Sequence, residues 1–167
     1  MSKDLMRVTA ADYTVIGEGD DEEPVVKLAG RDEYGERRVH WVYGTRPYLY
    51  VREGTSVPEG YQSRVQRQLP GFETFDGIPV ERWNVLVPDD VREIKDTLDD
   101  ETWEADIPFY RRASIDYDLS GYVRIPDSKK VQIDEVETEV RPDAENTIDP
   151  RVVYGDIEVL PDGTDFD

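Results

Sequence analysis

The chain has 167 residues, 37% of them hydrophobic, no cysteine and a formal net charge of −19, enough for one ordinary domain or for one domain and a piece of a second. Without cysteine there is no disulfide scaffold, thiolate zinc site or thiol nucleophile, and the single His40 excludes a multi-histidine metal site. No stretch approaches the ~20 consecutive apolar residues of a membrane span, and the first residues lack the apolar core of a signal peptide, so the sequence predicts a cytoplasmic protein with no membrane partner.

The acidic excess has structure within it. There are 39 Asp and Glu against 15 Arg and only 5 Lys, yet the chain also carries 10 Tyr, 3 Trp and 4 Phe, which a disordered acidic tail would lack. Acidity scattered over a lysine-poor folded chain suits molar salt, where the Debye length falls to about 3 Å and surface self-repulsion is screened. The expectation is a halophilic protein. The competing account is a functional acidity, as in a mimic of DNA or a docking surface for a basic partner.

In chain order, residues 12–16 and 24–28 read as short strands joined by the acidic turn 17–23, with a third strand at 37–43, an antiparallel meander. Residues 46–52 alternate as a strand with Tyr48 and Tyr50 on one face, and Tyr61, Val65 and Leu69 then recur at helical spacing. Residues 72–75 and 80–87 read as strands around the Asp76-Gly77 hairpin signal. Val91, Ile94 and Leu98 give a second amphipathic helix behind Pro88-Asp89-Asp90, and a strand at 102–106 closes the unit. That order is the ferredoxin-like βαββαβ motif, found also in domains that stack RNA bases on sheet aromatics. A helical turn or two at 108–115 and a short strand at 121–125 follow. Residues 127–150 read as an acidic linker with an exposed hairpin strand, and 151–159 as a buried-type strand. The fold class is α+β.

Three features bear on chemistry. Asp156 and Glu158 stand at i and i+2 on the last strand, so both carboxylates point to one face as a pair of hard oxygen ligands. Two prolines flank aromatic residues, in Arg46-Pro47-Tyr48 and in Ile107-Pro108-Phe109-Tyr110-Arg111-Arg112. Proline fixes φ, so such loops suit a preset pocket wall, with Arg112 in reach of a phosphate. His40, beside Trp41 in an alternating strand, has no nucleophile motif near it and is expected to be a packed or surface imidazole. Gly17-Glu18-Gly19 lacks the lysine and helix of a phosphate-cradling loop.

The runs Thr45-Arg46-Pro47-Tyr48-Leu49-Tyr50, Gly77-Ile78-Pro79-Val80-Glu81-Arg82-Trp83-Asn84-Val85, Pro88-Asp89-Asp90-Val91, Glu104-Ala105-Asp106-Ile107-Pro108-Phe109-Tyr110-Arg111-Arg112 and Asp156-Ile157-Glu158 together resemble, in order, the N-terminal region of archaeal family B DNA polymerases. The resemblance implies an N-terminal, template-strand domain over residues 1–126, an acidic linker or hairpin over 127–150, and over 151–167 the truncated start of a ribonuclease-H-like 3′→5′ exonuclease domain. It implies that Tyr13, Pro47, Tyr48, Val91, Ile107, Pro108, Phe109 and Arg112 line a pocket that captures uracil or hypoxanthine in template single-stranded DNA ahead of synthesis. Such a pocket reads the shape of a flipped base and does no chemistry.

It further implies that Asp156 and Glu158 are catalytic carboxylates of the exonuclease, binding Mg²⁺ or Mn²⁺ that activate water against the terminal phosphodiester. Val159 stands where the family usually has threonine, and the segment 127–150 is longer than its counterpart. The remaining exonuclease motifs, the palm aspartates and the fingers lysine are absent, so the expectation is a fragment of a DNA-directed DNA polymerase, a nucleotidyltransferase, that is not catalytically complete alone. Its partners would be template DNA, the remainder of the polymerase if split, and a sliding clamp only through the missing part. The alternatives are a stand-alone single-stranded nucleic-acid-binding module using Tyr48 and Tyr50 as stacking platforms, or an acidic protein-interaction module.

Overall fold

The computed structural model describes residues 3–98 and 101–139. Alternation of buried and exposed positions builds a first sheet from Lys3–Ile16 (β1), Glu23–Asp32 (β2) and Arg37–Tyr43 (β3), the expected meander. Val26 and Leu28 of β2 and Val42 of β3 point into the core, while Lys27 and Trp41 pair across the opposite face. Gly30 lies next to a bulge in β1, between Val8 and Ala10. A Cβ on Gly30 would run into the carbonyl oxygen of Arg7, so this close approach of two backbones admits no side chain.

The second sheet contains Tyr48–Arg52 (β4), Val65–Glu73 (β5), Pro79–Val85 (β6) and Thr102–Trp103 (β7), in the order β5-β6-β4-β7. Leu49 and Val51 turn inward with Trp83 and Val85, and Tyr48 and Tyr50 share the other face, as their alternation predicts. The hairpin β5-β6 turns at Gly77 (φ 76°), whose N–H donates to Thr74. The helix α1, Pro88–Thr97, covers this sheet with Val91 and Ile94. Its start follows from sequence: Pro88 opens the first turn, and the Asp90 carboxylate accepts the Val87 N–H at 2.9 Å.

A second helix, α2 at Phe109–Asp116, lays Phe109 and Ala113 on the first sheet. Tyr122–Pro126 (β8), Lys130–Gln132 (β9) and Glu137–Glu139 (β10) then complete that sheet in the order β10-β8-β1-β2-β3-β9. The chain is thus α+β, two sheets each with one helix. No helix among the described residues is long and apolar enough to cross a membrane.

Three expectations are corrected. The ferredoxin-like unit lacks its first helix: residues 65–73 form β5, and the order is β-β-β-α-β. Tyr61 and Val65 do pack against the second core, but Pro70-Gly71 stops a helix beyond Leu69. On an edge strand the same pair sits in an irregularity of the ladder between Leu69 and Phe72. The strand at 102–106 shrinks to two residues. The expected exposed hairpin after residue 126 is instead two short strands on opposite edges of the first sheet, with Val131 of β9 buried beside β3. Residues 151–159 lie outside the described residues.

The turn between β2 and β3 hangs on Asp32, which is 1% exposed. Its carboxylate accepts the N–H groups of Tyr34 (3.0 Å) and Glu36 (2.8 Å) and the Arg38 Nε–H (2.7 Å). Burial pushes the Asp32 carboxyl up, but these hydrogen bonds outweigh burial and hold it below the usual carboxylate range. A depressed carboxylate contributes stability that is present above its unfolded pKa, about 3.9, and is lost as the pH falls through the folded value. Thermal unfolding should therefore show Asp32→Asn well below the parent chain at pH 6, with the gap closing below about pH 4. A gap that stays constant down to pH 3 would contradict the assignment.

Candidate functional site

The residues singled out by sequence meet at the seam between the two sheets. Pro47 immediately precedes β4, and its carbonyl accepts the Val85 N–H of β6 at 2.9 Å, which fixes the entry to Tyr48. The Pro108 carbonyl accepts the N–H groups of Arg111 (2.9 Å) and Arg112 (3.0 Å), so proline, with no N–H to satisfy, sets the start of α2. That start delivers Phe109 edge-on to Tyr13 of β1, ring centroids 5.5 Å apart. Val91 approaches from α1.

All eight, Tyr13, Pro47, Tyr48, Val91, Ile107, Pro108, Phe109 and Arg112, line one cavity of about 340 Å³. Rings, prolines and aliphatic side chains share its walls with the charged Asp89, Arg92, Lys95, Glu104, Asp106 and Arg112. The polar rim includes the ion pair of Lys95 Nζ with Asp106 at 2.5 Å.

Arg112, placed by the sequence in reach of a phosphate, is ion-paired. Its Nη2 pairs with Glu104 at 2.5 Å and its Nη1 lies 3.4 Å from Asp116. Asp116 in turn accepts the Tyr48 hydroxyl at 2.8 Å, and the Arg112 guanidinium lies 5.3 Å from the centre of the Tyr48 ring. Burial, then the hydrogen bond to Asp116, pushes the Tyr48 phenol well above its ordinary pKa. Glu104 adopts a left-handed backbone (φ 60°), uncommon for a residue with a side chain, and the ion pair with Arg112 holds it there. Arg111, its neighbour, is exposed.

A second cavity of about 570 Å³ shares Tyr48, Glu104 and Arg112 with the first and adds Thr45, Arg46, Arg82, Asn84 and Asp116. Sequence reading assigned no role to Arg82 or Asn84. The available signal was their spacing: they flank the fully buried Trp83 at i and i+2 and so share the face opposite the core. Five buried side-chain atoms here have no hydrogen-bond partner among the described residues: Thr45 Oγ1, Arg46 Nη1, Arg82 Nε, Asn84 Oδ1 and Arg112 Nε. Each such atom costs about 1–3 kcal/mol when left unsatisfied.

Of the two readings of His40, packed or surface, the structure shows the first: it is buried, with Nδ1 donating to the Ser128 carbonyl at 2.7 Å. Asp156 and Glu158 lie outside the described residues. Among the described residues no group of three His, Asp or Glu side chains is arranged to hold a metal ion.

The Tyr48 contact is open to a direct check. In spectrophotometric titration of the folded chain, one phenol should stay protonated beyond pH 11, past the ordinary tyrosine value of about 10. Tyr48→Phe should abolish that resistant phenol and lower stability by about 1 kcal/mol. Uniform ionisation of every tyrosine near pH 10 would contradict the buried hydrogen bond.

No protein-family model matches the chain. No curated protein matches it either. Among solved structures, the family B DNA polymerase from the hyperthermophilic archaeon Pyrobaculum calidifontis shares its fold, with a TM-score of 0.61 and 22% sequence identity over 83% of this chain. The match covers 21% of that polymerase, so this chain spans about a fifth of its length. The described fold is therefore one that this family B DNA polymerase carries.

Proposed function

We propose that this chain is the N-terminal, template-sensing part of a family B DNA polymerase, and that the smaller cavity captures a deaminated base, uracil or hypoxanthine, flipped from single-stranded template DNA. The observation that carries the reading is convergence. Eight residues assigned to such a pocket on sequence resemblance alone, spread over 100 positions of chain, line a single cavity. Its walls include Pro47, Pro88 and Pro108, which suits discrimination by shape because a fixed wall excludes a methyl group that a soft one would accommodate.

In this reading the cavity binds and does not react. A stalled polymerase needs only that the base be held, and the rings of Tyr13, Tyr48 and Phe109 offer it π faces. Asp156 and Glu158 keep a proposed role as Mg²⁺ or Mn²⁺ ligands of a 3′→5′ exonuclease, a role that belongs to the larger protein along with polymerisation itself. The net charge of −19 opposes phosphate binding in dilute buffer. Strand affinity therefore rests on the local cations and on base contacts, and a halophilic setting would screen the remaining repulsion.

Fluorescence anisotropy with labelled single-stranded oligonucleotides carrying one uracil or one thymine, in about 2 M KCl, tests this reading. Uracil should bind tighter by about tenfold or more, the scale on which a pocket discriminates one methyl group. Tyr48→Ala and Arg112→Ala, each checked for its fold by circular dichroism, should erase the difference. Affinity should hold or rise from low salt to molar KCl, opposite to ordinary DNA-binding proteins. Equal binding of the two oligonucleotides would reduce the reading to strand binding without base sensing.

A further inference from the structure

Every buried side-chain nitrogen or oxygen that lacks a partner among the described residues lies on the larger cavity, the one beside the base-sized pocket. Native interiors leave few such atoms, and scattered orphans reflect local compromise. Five on one cavity, from the segment before β4, from β6 and from α2, describe a surface whose hydrogen bonds are completed by something that enters it.

The chemistry of the five selects the class of ligand. Four of them are able to donate: Thr45 Oγ1, Arg46 Nη1, Arg82 Nε and Arg112 Nε. Thr45 is 1% exposed and lines the cavity. Three guanidinium groups face two carboxylates there, and both carboxylates are already engaged, Glu104 by Arg112 and Asp116 by Arg112 and the Tyr48 hydroxyl. Arg46 and Arg82 have no carboxylate partner among the described residues. Arg82 instead lies over the Tyr48 ring at 4.7 Å. Among the described residues, three arginines and two carboxylates line the cavity, a surplus of positive charge in a chain of net charge −19. Water would satisfy the donors but not the charge; an anion with several oxygens satisfies both.

We infer that this cavity is a phosphate site, taking the phosphate group of a nucleotide. The anion follows from the orphaned donors alone. The nucleotide rests on the proposed function, because the wall formed by Tyr48, Glu104 and Arg112 is common to both cavities and a phosphate seated here is adjacent to a base seated there. At about 570 Å³ the cavity lies in the range of small-ligand sites. The phosphate belongs either to the backbone of a bound strand or to a free nucleotide, and both present the same oxygens.

The test is a titration of the full chain with inorganic phosphate, followed by NMR through the arginine Nε–Hε signals. The signals of Arg82 and Arg112 should shift and saturate together at one site. That of Arg124, whose Nε is already bonded to Glu139 at 2.7 Å, should not move. Arg82→Gln and Arg46→Gln, neither in the base-sized cavity, should each weaken phosphate binding about tenfold, the loss of one charge-assisted hydrogen bond. Arg82→Lys should recover part of it. Unmoved Arg82 and Arg112 signals, or unchanged phosphate affinity in both glutamine variants, overturn the inference. Thymidine binding as tightly as thymidine 5′-monophosphate overturns it as well. Tighter binding of the dinucleotide thymidylyl-thymidine than of the monophosphate assigns the site to a strand backbone, and the reverse order to a free nucleotide. Inorganic phosphate carries no base, so its binding stands or falls whether or not uracil is preferred over thymine.

Discussion

The guanidinium of Arg112 joins the two halves of this chain. It sits on the helix that packs on the first sheet, yet its partners include Glu104, in the stretch leaving the second sheet, and the Tyr48 ring that opens the central strand of that sheet. Asp116, one helical turn on, closes the circuit by accepting the Tyr48 hydroxyl. Charge, ring face and phenol are thus satisfied by one another at the seam, and both cavities take this cluster as a wall. Without that guanidinium the Glu104 and Asp116 carboxylates would lose their ion-pair partner beside the tyrosine.

A second contact of the same kind works at the far end of the seam. Arg64, just before β5, donates Nε to Asp90 (2.7 Å), Nη2 to Glu22 (2.8 Å) and Nη1 to the Gly19 carbonyl (3.0 Å). The hydrogen bond to Asp90, more than any other contact, fixes its charge, and the Asp90 carboxylate also caps α1. One cation therefore ties the turn after β1 to the helix over the second sheet. In a protein this acidic, arginine is the scarce component, and its planar fork lets one charge bind two or three partners where lysine would act as a point charge. The 15 Arg against 5 Lys are consistent with that use.

Much of the fold was legible because it is locally determined. Residues 37–43 form β3 with the predicted ends, and α1 begins at the Pro88-Asp89-Asp90 signal, since period-two alternation and helix capping act within a few residues. The failure at 61–69 has an equally local cause: three apolar residues at helical spacing are also compatible with a turn that leads into an edge strand, and pairing with β6 decided between them. β9 and β10 were misread because a three-residue edge strand has too little pattern to show, and its partner lies some 90 or 15 positions away in sequence for the two pairings. At the site, the proline-aromatic clusters could be read directly, and the resemblance supplied the remaining positions. What no reading of one sequence supplies is which polar groups go without partners. Arg46, Arg82 and Asn84 are unremarkable as letters, and their orphaned atoms exist only once two sheets are brought together.

The two cavities differ in a way that follows from how their walls are made. The smaller is bounded by backbone-fixed elements, Pro47 and Pro108, and by the packed Tyr13–Phe109 pair, so its shape is set before anything enters. The larger is lined by long arginine side chains, three of them with a buried nitrogen that has no partner among the described residues, so its energy, more than its shape, changes on occupation. Rigid walls discriminate and cationic donors attract. Placing one beside the other across a shared tyrosine separates the two tasks. A ligand that spans both would draw affinity from one cavity and selectivity from the other, without asking a surface of net charge −19 to attract a polyanion anywhere else.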